Sequence, residues 1–393
     1  MRNYVVTGAA VAVIAFLVGC SGGSQSLTST LPVSAVHRSE QIERSQPAAV
    51  AAEFAYEANE GATNVSAYKI ESNGALTPLK GSPFSAGSAP SGVAVDASGK
   101  FAHVSNAGSD NVSAFTIDAA SGALAQIKGS PFAGGTAPSG VASTGKFAYV
   151  SNVGVASSSN VSAYAIGSSG ALTQVKGSPF AAGTGAQYVA ADPSGKFVYV
   201  PNAGSDNVSA YKIGSNGGLT PVKGSPFDAG SEAFGVAVDP SGKFAYVSNY
   251  GSDNVSAYAL NAASGALTPI KGSPFVAGTG PCSVILDPNG KFVYVPNLSS
   301  ANVSAYAIKS NGTLSPVKGS PFPAGAGACY GAVDPASKFV YVGNSSADTI
   351  SGYQIGTSGA LKPLKGSPFP AGSTPAVIAT CRVTSGKCVP PPL

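Results

Sequence analysis

Residues able to do chemistry are few in this 393-residue chain, and most of them recur at fixed positions. Only 10% of the residues are charged, against about 25% in an ordinary soluble domain. Between Phe54 and Ala376 there is no arginine at all. The one histidine of that stretch, His103, stands in FAHV, where sister segments carry Tyr149, Tyr199, Tyr246, Tyr294 and Tyr341. It reads as a packed aromatic substitute sooner than as a base. Asp96, Asp192, Asp239, Asp287 and Asp334 each open the same Gly- or Pro-containing segment before a lysine, which makes them turn formers. After Cys20 four cysteines remain, Cys282, Cys329, Cys381 and Cys388. An even number in an oxidising compartment suggests disulfides, with three pairings open. Cys282 and Cys329 hold equivalent places in neighbouring repeats, so we expect them to pair, and Cys381 to pair with Cys388. No histidine accompanies the cysteines, and HExxH, CxxC, P-loop and GxSxG patterns are absent, so no metal or cofactor is expected. The net charge of +4 is dispersed and forms no basic stripe of the kind nucleic acid requires.

The elements that must carry these residues repeat. KGSPF starts at 80, 128, 176, 223, 271, 318 and 365, and NVSAY or a decayed copy recurs at a matching period. Within one unit, QYVAAD reads as a first strand, DPSGK as a tight turn, KFVYVPN as a second strand, NVSAYKI as a third and LTPVKGSPF as a fourth. Pro221 would break a central ladder, so the fourth strand belongs at an edge, where its lysine guards against pairing with other chains. Four strands per unit at this period predict a propeller, with a solenoid as the competing reading. The termini decide. The chain enters at EFAYEAN, which matches a second strand, and PAVIAT near the end matches a first strand with nothing after it. The missing strand at one end is the spare strand at the other, which a ring can use and an open array cannot. We therefore expect an all-β, seven-bladed propeller of four-stranded antiparallel blades over residues 51–383. One C-terminal strand should close it against three N-terminal ones, with a tail at 384–393.

In such a ring the loops after strands two and four share one face around the axis. Repeats that break their own consensus there are the candidates for a site. Where first strands begin, the column reads Ser91, Ser139, Gln187, Phe234, Cys282, Cys329, Ala376. Small residues give way to larger ones in the middle blades, and Tyr188, Glu232, Tyr250 and Tyr330 depart nearby. Gln187, Tyr188, Glu232, Phe234, Tyr250 and Tyr330 are thus expected to line a semi-apolar mouth with one acid, suited to a small-molecule or peptide-like ligand.

Blades written as VDPSGKFVYV, NVSAY and GSPF resemble the lactonase-type seven-bladed propellers, also called the YVTN family, over residues 51–382. The resemblance implies cofactor-free chemistry in a central funnel, using His, Arg and an acid, as in 6-phosphogluconolactonase and muconate-lactonising enzyme. The absent arginine departs from that pattern. We therefore expect a non-enzymatic module that binds a ligand or a protein through its loop face. The alternative is a lactone hydrolase without a metal, with His103 and Glu232 as its nearest candidates and no catalytic residue assigned. The N-terminus adds an address. Arg2 precedes an apolar run from Val5 to Val18 that is too short to span a bilayer. It ends in LVGC, which resembles a bacterial lipobox. This implies a signal peptide at 1–19, lipid on Cys20, a Ser/Thr/Pro-rich tether over 20–50 and a monomer held at the cell envelope. The outer membrane is favoured over the inner, with the domain facing the periplasm or the surface.

Overall fold

The computed structural model describes residues 51–154 and 159–391. The expected signal peptide, the Cys20 lipidation site and the tether lie outside the described residues. Seven antiparallel sheets stand around an axis, six of them built from strands in sequence order and the first completed by strands from the C-terminal end. Blade two is typical. Its strands are Pro90–Val95, Phe101–Asn106, Asn111–Ile117 and Leu124–Gln126, followed by a short segment Phe132–Ala133. First strands line the axis. Loops after second and fourth strands form what we call the upper face, and turns after first and third strands the lower face.

KGSPF interrupts the outer strand rather than ending it. In blade one Leu76–Pro78 pairs with the end of the third strand and Phe84–Ser85 with its start. The residues between loop outward, Gly81 has φ +89° and the Ser82–Pro83 peptide is cis, as is its counterpart in every blade. Ser82 fills the gap. Its hydroxyl oxygen accepts the Ala67 N–H at 2.8 Å, while Leu79 N–H reaches the Ala67 carbonyl at 2.9 Å. An unpaired amide there would cost about as much as a lost hydrogen bond, and seven serines prevent it seven times. The phenylalanine packs back into the blade contacts, as Phe180 and Phe227 do.

Two tyrosines per repeat join neighbouring blades. The second-strand tyrosine donates to a turn glycine of the next blade: Tyr56 to Gly122, Tyr149 to Gly217, Tyr199 to Gly265, Tyr246 to Gly312 and Tyr294 to Gly359. The third-strand tyrosine donates to the preceding blade's outer segment, as Tyr164 does to Ala133 and Tyr258 to Asp228. Blade two departs twice, with His103 and Phe115 in these places. The turn aspartates are buried and hold their turns. Asp96 Oδ1 accepts the N–H groups of Lys100 and Phe101, and Oδ2 accepts that of Ser98.

The ring closes in blade one. Pro375–Thr384 pairs antiparallel with Glu53–Asn59, with Tyr56 opposite Ala379 and Glu53 opposite Arg382. Arg382 Nε donates to Glu53 Oε1 at 2.6 Å. Tyr341 of blade seven donates to Gly74 of blade one at 2.8 Å, so the tyrosine series runs across the seam. After that strand the chain turns back. Lys387–Val389 pairs with the strand's own end, Cys388 N–H donates to the Gly99 carbonyl, and Cys388 is bonded to Cys381.

Candidate functional site

The axial channel itself cannot host acid–base chemistry. A cavity of about 270 Å³ runs along it, walled by first-strand residues such as Ala94, Val189, Val236, Ile285 and Ile378, with Pro390 and Pro391 at its lower end. None of its lining side chains titrates. The two hydroxyls in the wall are engaged, Thr380 with the Val333 carbonyl and Ser143 with His103. His103 is fully buried, its Nδ1 lies 2.9 Å from Ser143 Oγ, and burial lowers its pKa to about 4. It is a neutral imidazole inside a blade contact, with no route to a substrate.

The upper mouth is different. Blade four, like blade six with Pro296, carries a proline, Pro201, in its second strand where blades two, three and five have serine. Proline offers no N–H to the ladder, and the first strand of that blade is reduced to Ala190–Ala191. The preceding segment is thereby free to leave the sheet. Gln187 is engaged through its backbone, its N–H meeting the Pro201 carbonyl and its carbonyl accepting the Ser151 hydroxyl. Tyr188 packs over Gly140, where any Cβ would sit 3.0 Å from the tyrosine. Its ring meets Tyr330 of blade seven at 5.1 Å between centroids and Phe234 of blade five at 5.8 Å. Phe234 meets Tyr250 at 5.9 Å. Blades four and seven lie on opposite sides of the ring, so Tyr188 and Tyr330 touch across the axis. Four of the six predicted site residues therefore form one half-buried aromatic cluster over the channel. Glu232 stands beside it. It is exposed, has φ +52°, donates its N–H to Asp206 Oδ1, and rests its side chain against Gly251 next to Tyr250.

Cys282 and Cys329 are disulfide-bonded with Cα atoms 5.3 Å apart, which ties blades six and seven beside this mouth. Ser91 belongs to packing: it donates to the carbonyl of Pro138 between blades two and three.

One candidate residue was missed. Glu60 follows Asn59 at the end of the second strand of blade one and is held by its N–H to the Thr374 carbonyl. Its side chain is exposed, and desolvation by the surrounding loop atoms raises its pKa. Its charge also adds to the burial that holds the Tyr188 and Tyr330 hydroxyls well above the ordinary tyrosine range. The signal was available. The column after this asparagine reads Glu60, Ala107, Val153, Ala203, Tyr250, Leu298, Ser345. The consensus-break test that found Tyr250 finds Glu60 in the same column.

The charge of this face is uniform. Its loops and outer-segment ends carry Glu60, Asp110, Asp206, Asp228, Glu232, Asp253 and Asp348, and the same segments hold no lysine, arginine or histidine.

The sequence model of the family described as lactonase, 7-bladed β-propeller, matches residues 2–137, 127–233 and 219–330. Among solved structures, a putative 6-phosphogluconolactonase from Bacteroides fragilis superposes with a TM-score of 0.72 at 21% identity, covering 85% of this chain and 99% of its own. A periplasmic gluconolactonase from Pseudomonas aeruginosa gives a TM-score of 0.72 at 19% identity, covering 86% of this chain and 100% of its own. At such identities the likeness shows the fold alone. No curated protein matches. The expectation of a non-enzymatic binding module is corrected by the family match, which takes in most of the propeller and is to lactonases. It rested on the regular framework repeats, the tether and the missing arginine and histidine chemistry, and none of these excludes a site built on a carboxylate and tyrosines. The chain belongs to the lactonase family of seven-bladed β-propellers.

Proposed function

We propose that the protein hydrolyses an unphosphorylated lactone at the upper mouth of the ring, with Glu60 as general base and the Tyr188 and Tyr330 hydroxyls as oxyanion donors. The observation that carries this is the ring contact of Tyr188 with Tyr330 across the axis, with the exposed Glu60 carboxylate as a charged neighbour of both hydroxyls. Glu60 takes a proton from water as the water oxygen bonds to the lactone carbonyl carbon. The carbonyl oxygen becomes an oxyanion and accepts hydrogen bonds from the tyrosines. The ring C–O bond then breaks, and the leaving alkoxide takes the proton from Glu60, giving a hydroxy acid. A raised carboxylate pKa suits a base near neutral pH, and donors aimed at a developing oxyanion are a large catalytic contribution in dry sites. The product carries a new negative charge among seven carboxylates, which favours its release. The same repulsion disfavours a phosphorylated substrate, for which the mouth offers no guanidinium fork.

The test is a lactone panel followed in a pH-stat. Turnover well above buffer is expected. Glu60→Gln should lower kcat by about 10²-fold, the scale of general-base catalysis, without moving the melting temperature. The wild-type rate should rise with pH through the raised Glu60 pKa, and the variant should lose that limb. Wild-type rates equal to buffer, or an unaffected Glu60→Gln, would sink the reading. We propose further that the enzyme acts at the cell envelope, lipid-anchored through Cys20. Cys20→Ala should abolish fatty-acid labelling and membrane fractionation.

A further inference from the structure

The mouth combines two features that answer one kind of ligand. Tyr188, Phe234, Tyr250 and Tyr330 are half-buried and in ring contact, so each keeps part of its surface towards solvent. They come from three blades and meet over the axis, where a small ligand entering the funnel must touch them. Aromatic faces carry partial negative charge and attract cations, more strongly where water is excluded. The second feature is the sign of the surroundings. All seven charged groups on the upper-face loops are carboxylates. Four of them, Asp110, Asp206, Asp253 and Asp348, each bind a backbone N–H of the next blade's loop and so have a structural task. Asp228 sits at the outer rim, in the segment paired with Asn207. Glu60 and Glu232 remain, without such a task, Glu60 a charged neighbour of Tyr188 and Tyr330 and Glu232 against Gly251 beside Tyr250.

We propose that this site takes lactones bearing a positive charge, an ammonium or trimethylammonium substituent seated on Tyr188, Phe234, Tyr250 and Tyr330, with Glu60 and Glu232 as its counter-ions. The inference rests on the lactone-hydrolase reading and adds the substrate class. The ammonium group lies against the rings while the lactone carbonyl faces the Tyr188 and Tyr330 hydroxyls. The carboxylate field draws such a substrate in and turns an anionic one away.

The experiment separates binding from turnover. Choline and its neutral isostere 3,3-dimethylbutan-1-ol are titrated against the purified propeller, with tyrosine ring resonances as the readout. Choline should bind at least 10-fold more tightly than the isostere, and the margin should shrink as salt rises. Glu60→Gln and Glu232→Gln should each lower choline affinity about 3- to 10-fold and leave the isostere unchanged. Phe234→Leu should weaken choline while preserving the melting temperature. Equal binding of the two probes, failure of choline to bind, or indifference of choline to both charge removals would overturn the proposal. In parallel, α-amino-γ-butyrolactone and γ-butyrolactone are assayed for hydrolysis. Hydrolysis of the neutral lactone with no choline binding would overturn the substrate class and leave the hydrolase reading standing. Choline binding with no hydrolysis of any lactone would overturn the hydrolase reading instead.

Discussion

Glu57 shows how much one residue can ask of a blade contact. It occupies the place of Val104, Val150 and Val200 in sister strands, wholly buried at the junction of blades one and seven. Tyr68 donates to its Oε2 at 3.0 Å, and Oε1 has no hydrogen-bond partner. Burial raises its pKa from 4.5 to about 8. Folded and unfolded chains both hold the proton below about pH 4.5. Between there and about pH 8 only the folded chain retains it, so stability falls across that window, by on the order of 5 kcal/mol in all. Thermal melts from pH 5 to pH 8.5 should show this slope, and Glu57→Gln should flatten it and melt higher at pH 8. A wild-type melting temperature flat across the range would contradict the buried carboxyl. At the mouth, Tyr188→Phe and Tyr330→Phe should each cost roughly 10²-fold in kcat, the lower end of what a single oxyanion donor supplies, with KM changed little. Tyr188, Phe234, Tyr250 and Tyr330 were legible in the sequence because they break a repeating column. Glu60 breaks the same column as Tyr250, but the first repeat is entered midway and its loop, EGAT, lacks the GSD of blades two, four and five. That Tyr188 and Tyr330 meet is a fact of ring closure, and no local pattern encodes it.

At the scale of elements, the blade depends on side chains that stand in for backbone. Removing one KGSPF hydroxyl, as in Ser225→Ala, leaves the Ala210 N–H without its acceptor. That should cost about 1–3 kcal/mol, the desolvation penalty of an unsatisfied buried donor, measurable as a lower denaturation midpoint with an unchanged m-value. The strands, turns and edge position of the fourth strand could be read from alternation, Asp-Pro turns and Pro221. The break within that strand could not, because Gly and Pro equally describe a strand that ends. Blade two offers a converse experiment. His103 replaces the tyrosine of the other repeats and Ser143 the valine of blades two, five and seven, and the two side chains meet as a pair. Restoring both, His103→Tyr with Ser143→Val, lets the phenol reach the Gly170 carbonyl in the manner of its five sisters and of Tyr56. The double variant should be about 1 kcal/mol more stable, the worth of an added hydrogen bond, and should hydrolyse lactones at the wild-type rate. A loss of turnover would return His103 to consideration as a catalytic residue.

The whole molecule is a closed array of near-copies, and this raises a question of self-recognition. The last strand, Pro375–Thr384, must find the second strand of blade one among seven exposed candidates of similar sequence while the chain is still assembling. Six of those candidates begin with a lysine, at 100, 146, 196, 243, 291 and 338. Blade one alone begins with an acid, Glu53, and Arg382 is bonded to it. At any other blade the same arginine would face a like charge. The Glu53–Arg382 pair thus acts as an address label, rejecting wrong docking more than it strengthens the right one. Glu53→Lys should yield dimers or larger species on refolding, as the last strand invades other chains, and Arg382→Glu in the same chain should restore the monomer.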